Sequence, residues 1–110
     1  MPDSVRVLGA RAFEGCESLK KVRLPAGLEE IDEYAFFLCW ELKSVTIPAG
    51  VKHIREGAFG DCPLSRITLP EGLKTIGKEA FHGCELKKVK IPESVTEIGK
   101  DAFPKGTVTG

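Results

Sequence analysis

Four cysteines are the residues of this chain with the most evident capacity for chemistry, and they recur at nearly equal spacing. Cys16, Cys39, Cys62 and Cys84 each begin a similar run of residues. Four cysteines in a small protein can form disulfides or bind zinc. If each instead lies in its own structural repeat, the column spreads over roughly 15 Å, which is too long to surround one ion. Stacked side chains also point the same way, so we expect buried, reduced thiols.

The other residues that could do chemistry form no catalytic arrangement. His53 and His82 occupy different positions of the repeat, and neither has an evident catalytic partner. The sequence contains no nucleophile motif, no glycine-rich phosphate loop and no metal-ligand pairing. We therefore expect a protein that is not an enzyme and that uses no cofactor and no metal.

The cysteines are part of a repeat that runs through the chain. Its second copy, Pro25 to Ile47, is PAGLEEIDEYAFFLCWELKSVTI, and the predicted copies span residues 2–24, 25–47, 48–69 and 70–91, with an incomplete copy at 92–110. A recurrence of roughly 20 to 50 residues indicates a solenoid in which each copy makes one turn. We predict a single solenoid domain over residues 1–110.

Two segments of each repeat have different hydrophobic patterns. The tail, such as Leu42 to Ile47, alternates apolar and polar residues, as half-buried strands do. Stacking the repeats places these strands in register and predicts a parallel sheet along one face. The segment Asp32 to Cys39 places three apolar residues within one helical turn. We interpret it as a short helical, 3₁₀ or extended turn on the opposite face, with Asp32 as its cap.

The whole repeat resembles a known family. The pattern P-x-x-[VL]-x-x-[IL]-x-x-x-A-F-x-x-C-x(1,2)-L-x-x-[VI]-x-[LI] extends from Pro2 to about Phe103 and is similar to the BspA-like branch of the leucine-rich repeat proteins. The resemblance implies a right-handed coil. It also implies a surface protein of host-associated bacteria or protozoa that takes part in adhesion, without catalytic residues and with a ligand that differs between members.

Half of the sixteen basic residues lie in the four predicted strands, which contain no acidic residue. These basic residues are Lys20, Lys21, Arg23, Lys43, Arg66, Lys87, Lys88 and Lys90. Such a face either keeps an exposed sheet soluble or binds an acidic protein or an anionic glycan. Under the second interpretation, the contact residues on the expected concave face are Lys21, Arg23, Ser44, Thr46, Arg66, Thr68, Lys88 and Lys90.

Composition and hydropathy narrow the classes of partner. The formal net charge is zero, and no aromatic residue lies among the basic positions to stack a base, so we expect no nucleic acid. No run approaches the roughly 18 apolar residues of a membrane span, and the first residues lack the pattern of a signal peptide. We expect a cell-surface or secreted parent protein. The alternative is a structural spacer, or a fragment of a larger surface protein, without a ligand of its own.

Two apolar features indicate further contacts. The second repeat carries large apolar side chains where its siblings have small or polar ones, namely Tyr34, Phe37, Leu38 and Trp40. They either cover the core of the same chain or form a hydrophobic interface. The N-terminal edge, Val5 to Leu8, lacks a preceding turn, which predicts end-to-end or edge dimers.

Overall fold

A computed structural model describes residues 4–109, which form a parallel β-solenoid of about five turns. Each full turn contributes very short strands, and the described residues contain no helix. In chain order the strands are β1 (Val7–Leu8), β2 (Glu30–Ile31), β3 (Ser44–Thr46), β4 (His53–Ile54), β5 (Arg66–Thr68), β6 (Thr75–Ile76), β7 (Lys88–Val89), β8 (Glu97–Ile98) and β9 (Val108–Thr109).

The longest sheet is one that the sequence did not predict. It has five parallel strands in the order β1-β2-β4-β6-β8, and it pairs Leu8, Ile31, Ile54, Ile76 and Ile98 along one ladder. Leu8, Ile31, Ile54 and Ile76 are buried. The first residue of each of these two-residue strands points to the opposite side of the sheet. Two-residue strands are too short to show an alternating pattern in the sequence, so this sheet escaped prediction.

The predicted tail sheet exists in part. β3, β5 and β7 lie in three of the four predicted tails, but the ladder divides into two separate pairs, β3-β5 and β7-β9. The first tail, residues 19–24, forms no strand. The expectation of one continuous sheet across four repeats is therefore wrong. The incomplete last copy also contributes a short strand, because β9 pairs with β7 through Lys88 and Val108.

The core is a column of aliphatic and aromatic side chains along the solenoid axis. Five phenylalanine rings stack nearly parallel, with centroids 5.1 to 5.4 Å apart; they are Phe13, Phe36, Phe59, Phe81 and Phe103. No polar side chain is buried among the described residues. Since each repeat supplies one ring at the same position, burial of the core depends on the neighbouring repeats.

The segment Asp32 to Cys39 is a series of turns, so of the predicted alternatives the helical and 3₁₀ turns are wrong and the non-helical turn holds. The amide of Tyr34 donates to the carbonyl of Glu56 in the next repeat at 2.9 Å, whereas the amide of Phe37 closes a turn onto the carbonyl of Tyr34 at 3.1 Å. The backbone amides of this segment thus alternate between hydrogen bonds to the next repeat and hydrogen bonds within the same repeat. Tyr34 has a φ of 55° and Leu38 a φ of 62°, and left-handed residues of this kind interrupt a right-handed helix. Asp32 Oδ1 still accepts the adjacent Glu33 amide at 2.7 Å.

Candidate functional site

The basic residues of the tails lie together on one exposed surface. We call this surface the basic face and define it by the outward residues of 20–23, 43–46, 65–68 and 87–90. All eight candidate contact residues on it are exposed; they are Lys21, Arg23, Ser44, Thr46, Arg66, Thr68, Lys88 and Lys90. The ladder places Ser44 beside Arg66 and Thr46 beside Thr68. The structure therefore groups the residues that the sequence singled out.

The positive charge on the basic face is concentrated at two places. The first repeat contributes three cations and the fourth repeat three, whereas the two repeats between them contribute one each; in order they are Lys20, Lys21, Arg23, Lys43, Arg66, Lys87, Lys88 and Lys90. Hydroxyl side chains fill much of the middle. The two clusters are three repeat spacings apart, which corresponds to roughly 14 Å at the spacing of adjacent strands.

None of these cations forms a salt bridge in the described part of the chain. Salt bridges instead join Arg6 to Glu29 at 2.8 Å, Arg11 to Glu14, and Arg55 to Glu30. All three lie outside the basic face. Arg23 and Arg66 belong to the basic face and have no such partner among residues 4–109. The salt bridges of residues 4–109 therefore leave the charges on this face unengaged.

Acidic residues lie closer to the basic face than the sequence suggested. Glu41 shares a surface depression with Lys20, Lys21 and Lys43, and Glu71 shares one with Lys90. The sequence segregates all acids outside the tails, but the coil returns these two to the margins of the basic face. The positive potential is consequently weakened at both clusters.

The division of the tail sheet leaves shallow depressions between repeats. One, of about 530 Å³, lies between the first and second repeats and is lined by Val22, Arg23, Leu24, Ala26, Thr46, Pro48 and Ala49. A second, of about 260 Å³, occupies the equivalent position between the third and fourth repeats and includes Thr68 and Lys90. Each depression therefore combines a cation and a hydroxyl with apolar walls, and the second also includes the carboxylate of Glu71.

The large apolar residues of the second repeat do not form one patch. The rings of Tyr34 and Phe37 contact edge to face with centroids 5.3 Å apart, and both rings pack against the third repeat. The Tyr34 hydroxyl donates a hydrogen bond to Glu56 Oε2 at 2.8 Å. Leu38 is half-buried, but Trp40 is 64% exposed. Tyr34 and Phe37 thus cover their own chain, and Trp40 is the exposed residue on which the predicted interface depends.

The cysteines form the predicted column of free thiols. Cys39, Cys62 and Cys84 are buried and Cys16 is half-buried. The thiol of Cys62 donates to the carbonyl of Phe36 at 2.9 Å, and Cys39 and Cys84 bond to the equivalent carbonyls. Burial raises the pKa of Cys84 to about 12. A raised pKa makes the Cys84 thiol less reactive, and the hydrogen bonds of the buried thiols join successive turns.

Catalytic and metal chemistry has no arranged site in residues 4–109. His53 lies on the five-stranded sheet, where Nδ1 is 2.8 Å from Thr75 Oγ1, and His82 lies on the turn face. No three His, Cys, Asp or Glu side chains among these residues are placed to hold a metal ion. No helix in the same range is long and apolar enough to cross a membrane.

The edges of the coil expose apolar side chains. Val7 of β1 is 48% exposed, Ile98 of β8 is 49% exposed and Val108 of β9 is 61% exposed. The structure therefore does not single out the N-terminal edge that the sequence favoured. An end-to-end or edge dimer stays a prediction.

A coil of parallel turns, with leucine-rich positions inward and one phenylalanine column, defines a leucine-rich repeat solenoid. The BspA type leucine rich repeat region matches residues 1–108 in six copies. The chain therefore belongs to the BspA-type leucine-rich repeat family. No curated protein matched the chain.

Solved structures support the same assignment. A leucine-rich repeat protein from Bacteroides ovatus is 44% identical with a TM-score of 0.86, covering 90% of this chain and 26% of its own. The T. pallidum leucine-rich repeat protein is 36% identical with a TM-score of 0.87, covering 93% of this chain and 49% of its own. A leucine-rich cell surface protein from Faecalibacterium prausnitzii is 30% identical with a TM-score of 0.71, covering 99% of this chain and 36% of its own. The chain thus spans less than half the length of each of these proteins.

Proposed function

We propose that this chain is a non-enzymatic adhesion or protein-interaction module that binds an anionic partner through its basic face. The partner is an acidic protein surface or an anionic glycan. The observation that carries the proposal is the set of exposed cations that form no salt bridge within residues 4–109. Membership of a family with a cell-surface relative supports a surface or secreted parent protein.

Charge and geometry support this choice of face. The strand ladders pair no two of these cations, since Arg66 lies beside Ser44 and Lys88 beside Val108. The favourable term on binding is therefore the attraction between the exposed cations and an anionic partner. Electrostatic complementarity mainly accelerates association and selects the partner, and exposed contacts are screened by salt. We expect fast binding of modest affinity that weakens steeply as the salt concentration rises.

A charge-reversal experiment tests the basic face directly. Arg66, Lys88 and Lys90 are changed together to glutamate, and binding of heparin and of polyglutamate is measured by biolayer interferometry at low and at physiological salt. The wild type binds at least one probe, and the variant binds it more than about tenfold more weakly, which corresponds to roughly 1.4 kcal/mol. Preference between the two probes identifies the class of partner.

A matched control separates local from global charge. Lys52, Lys74 and Lys100 are exposed residues outside the basic face, and their change to glutamate alters the net charge by the same amount. This control retains the affinity of the wild type within about threefold, because distant exposed charges are screened. Equal loss in both variants, or no binding of either probe by the wild type, would show that the basic face is not a binding site.

A further inference from the structure

The turn face of the third repeat lacks two side chains that its neighbours carry. Gly57 occupies the position of Tyr34 in the second repeat and of Glu79 in the fourth. Gly60 occupies the position of Phe37 and of His82. A depression of about 180 Å³ lies over these glycines. We call it the acidic aromatic groove, and its lining residues are Tyr34, Phe37, Gly57, Gly60, Asp61, Glu79 and His82.

The glycines form the floor of this groove because the rings of the second repeat lean across them. A Cβ atom at Gly57 would lie 2.3 Å from Cε1 of Tyr34, and a Cβ atom at Gly60 would lie 2.9 Å from Cδ1 of Phe37. Any larger residue would displace the rings. The second and fourth repeats are two strand spacings apart, roughly 9.6 Å, so the groove admits about one side chain between its walls.

Negative charge surrounds the aromatic wall. Asp61 and Glu79 line the groove, and neither takes part in a salt bridge within residues 4–109. Glu56 accepts the hydrogen bond of the Tyr34 hydroxyl. This hydrogen bond raises the pKa of Tyr34, and the charge of Glu79 acts in the same direction. Glu56 and Glu79 thus place negative charge beside the Tyr34 ring, and the guanidinium of Arg11 acts against it.

The chain itself shows which chemical group this ring attracts. The guanidinium carbon of Arg11, from the first repeat, lies 4.7 Å from the centroid of the Tyr34 ring. Arg11 occupies the same position of its repeat as Tyr34, Gly57 and Glu79 do in theirs. The column therefore runs from cation to ring, then over the glycine to a carboxylate. The Tyr34 ring itself covers Gly57, so a second cation would enter the groove beside the ring, where the carboxylates of Asp61 and Glu79 attract it.

We propose that the acidic aromatic groove binds one arginine or lysine side chain of a partner protein, with arginine preferred. The volume is far above the roughly 10–15 Å³ that one water needs, and it is below the roughly 300–1,000 Å³ of sites for drug-sized ligands. A guanidinium is planar and pairs with carboxylates in a bidentate manner, which a lysine ammonium cannot do. The groove lies on a different face from the basic face and has the opposite charge, so it does not depend on the function proposed above.

A titration followed by amide NMR tests this proposal. The probes are the blocked tripeptide Gly-Arg-Gly and its counterpart with citrulline, a neutral residue of nearly the same shape. We expect the arginine peptide to shift the amide signals of Gly57 and Gly60 with a dissociation constant in the millimolar range, as suits one exposed side chain, and the citrulline peptide to leave them unchanged.

Isosteric variants assign the effect to the carboxylates. The pair Asp61→Asn and Glu79→Gln weakens binding of the arginine peptide about threefold or more, whereas the control pair Glu85→Gln and Glu93→Gln retains it. Dispersed amide spectra confirm that both variants are folded.

Three results would overturn the assignment. They are the absence of shifts with the arginine peptide, equal shifts with the citrulline peptide, and equal affinity of the two double variants. If methyl glucoside shifted the same glycines and the arginine peptide did not, the groove would be a sugar site instead. None of these outcomes bears on the charge reversal of the basic face, so the two proposals fail separately.

Discussion

Truncation of the central phenylalanine, Phe59→Ala, is expected to be among the most destabilising single changes in this protein. Phe59 is fully buried, and its ring centroid lies 5.1 Å from that of Phe36 and 5.4 Å from that of Phe81. Burial of a phenylalanine contributes about 1.5–3 kcal/mol, and each ring pair adds about 0.5–1.5 kcal/mol. We expect a loss of about 4 kcal/mol, within the range of roughly 3–5 kcal/mol for such truncations.

Phe13→Ala is the matched control, because Phe13 occupies the same position of the first repeat. It is half-buried, and among the described residues its ring stacks on Phe36 alone. Half the burial and one ring pair predict a loss of about 2 kcal/mol. The same substitution should therefore cost about twice as much at Phe59 as at Phe13.

Urea unfolding followed by circular dichroism measures both variants. With a slope of about 2 kcal/mol per molar urea, the midpoint falls by roughly 2 M for Phe59→Ala and by roughly 1 M for Phe13→Ala. An unchanged slope would show that unfolding stays cooperative, which repeat proteins do not always maintain. Equal losses in the two variants would refute the reasoning, since they would mean that stacking between repeats does not set the stability.

Three further changes have defined outcomes. Gly57→Ala should lower the free energy of unfolding by about 2 kcal/mol, because Gly57 has a φ of 63° and an added Cβ would strike the ring of Tyr34. Unchanged stability would contradict this, as would a failure of Tyr34→Ala to restore part of the lost stability in the double variant. The pKa of Cys84 is raised to about 12 from an ordinary 9.0, so the folded state holds this proton more tightly than the unfolded state does. The free energy of unfolding is therefore expected to fall as the pH rises from 9 towards 12, by about 2 kcal/mol over the first 1.5 pH units. The free energy of unfolding of Cys84→Ser should fall less over the same range, and parallel pH curves for the two proteins would disprove the assignment. Trp40→Glu should change the free energy of unfolding by less than about 0.5 kcal/mol, because Trp40 is exposed. Trp40 is the single tryptophan, so the fluorescence emission of the wild type should be that of a solvated indole. A blue-shifted emission would show that Trp40 lies in an apolar contact.

Prediction from sequence succeeded where a property depends on position within the repeat. The recurrence of Cys39 in each full copy predicted a column of buried thiols, and the structure confirms this column. Phe36 recurs in the same way, and the structure shows that its equivalents stack ring on ring. It failed where the property depends on how neighbouring repeats fit. The pair Glu30 and Ile31 is too short to indicate a strand, yet stacking of such pairs builds the longest sheet.

The basic face could be predicted from single repeats, whereas the acidic aromatic groove depends on how neighbouring repeats fit together. Cations such as Arg66 and Lys88 are evident in the sequence because they alternate with buried residues of one predicted strand. The groove joins Tyr34 of one repeat to Glu79 two repeats later, across a floor at Gly57. A glycine in a single repeat carries little information until its neighbours are known. Scanning each position for the repeat in which a side chain is missing would have located this site.

The sequence by itself determined the repeat, the residues that face inward and the side of the coil on which positive charge accumulates. These properties follow from the spacing of apolar residues, because a solenoid turns once per repeat. Only the tertiary structure decided that the tail sheet divides into two pairs, that Asp32 to Cys39 forms turns, and that Tyr34 and Phe37 close over two glycines. Those outcomes depend on backbone hydrogen bonds and contacts between successive turns, which involve residues 22 or 23 positions apart.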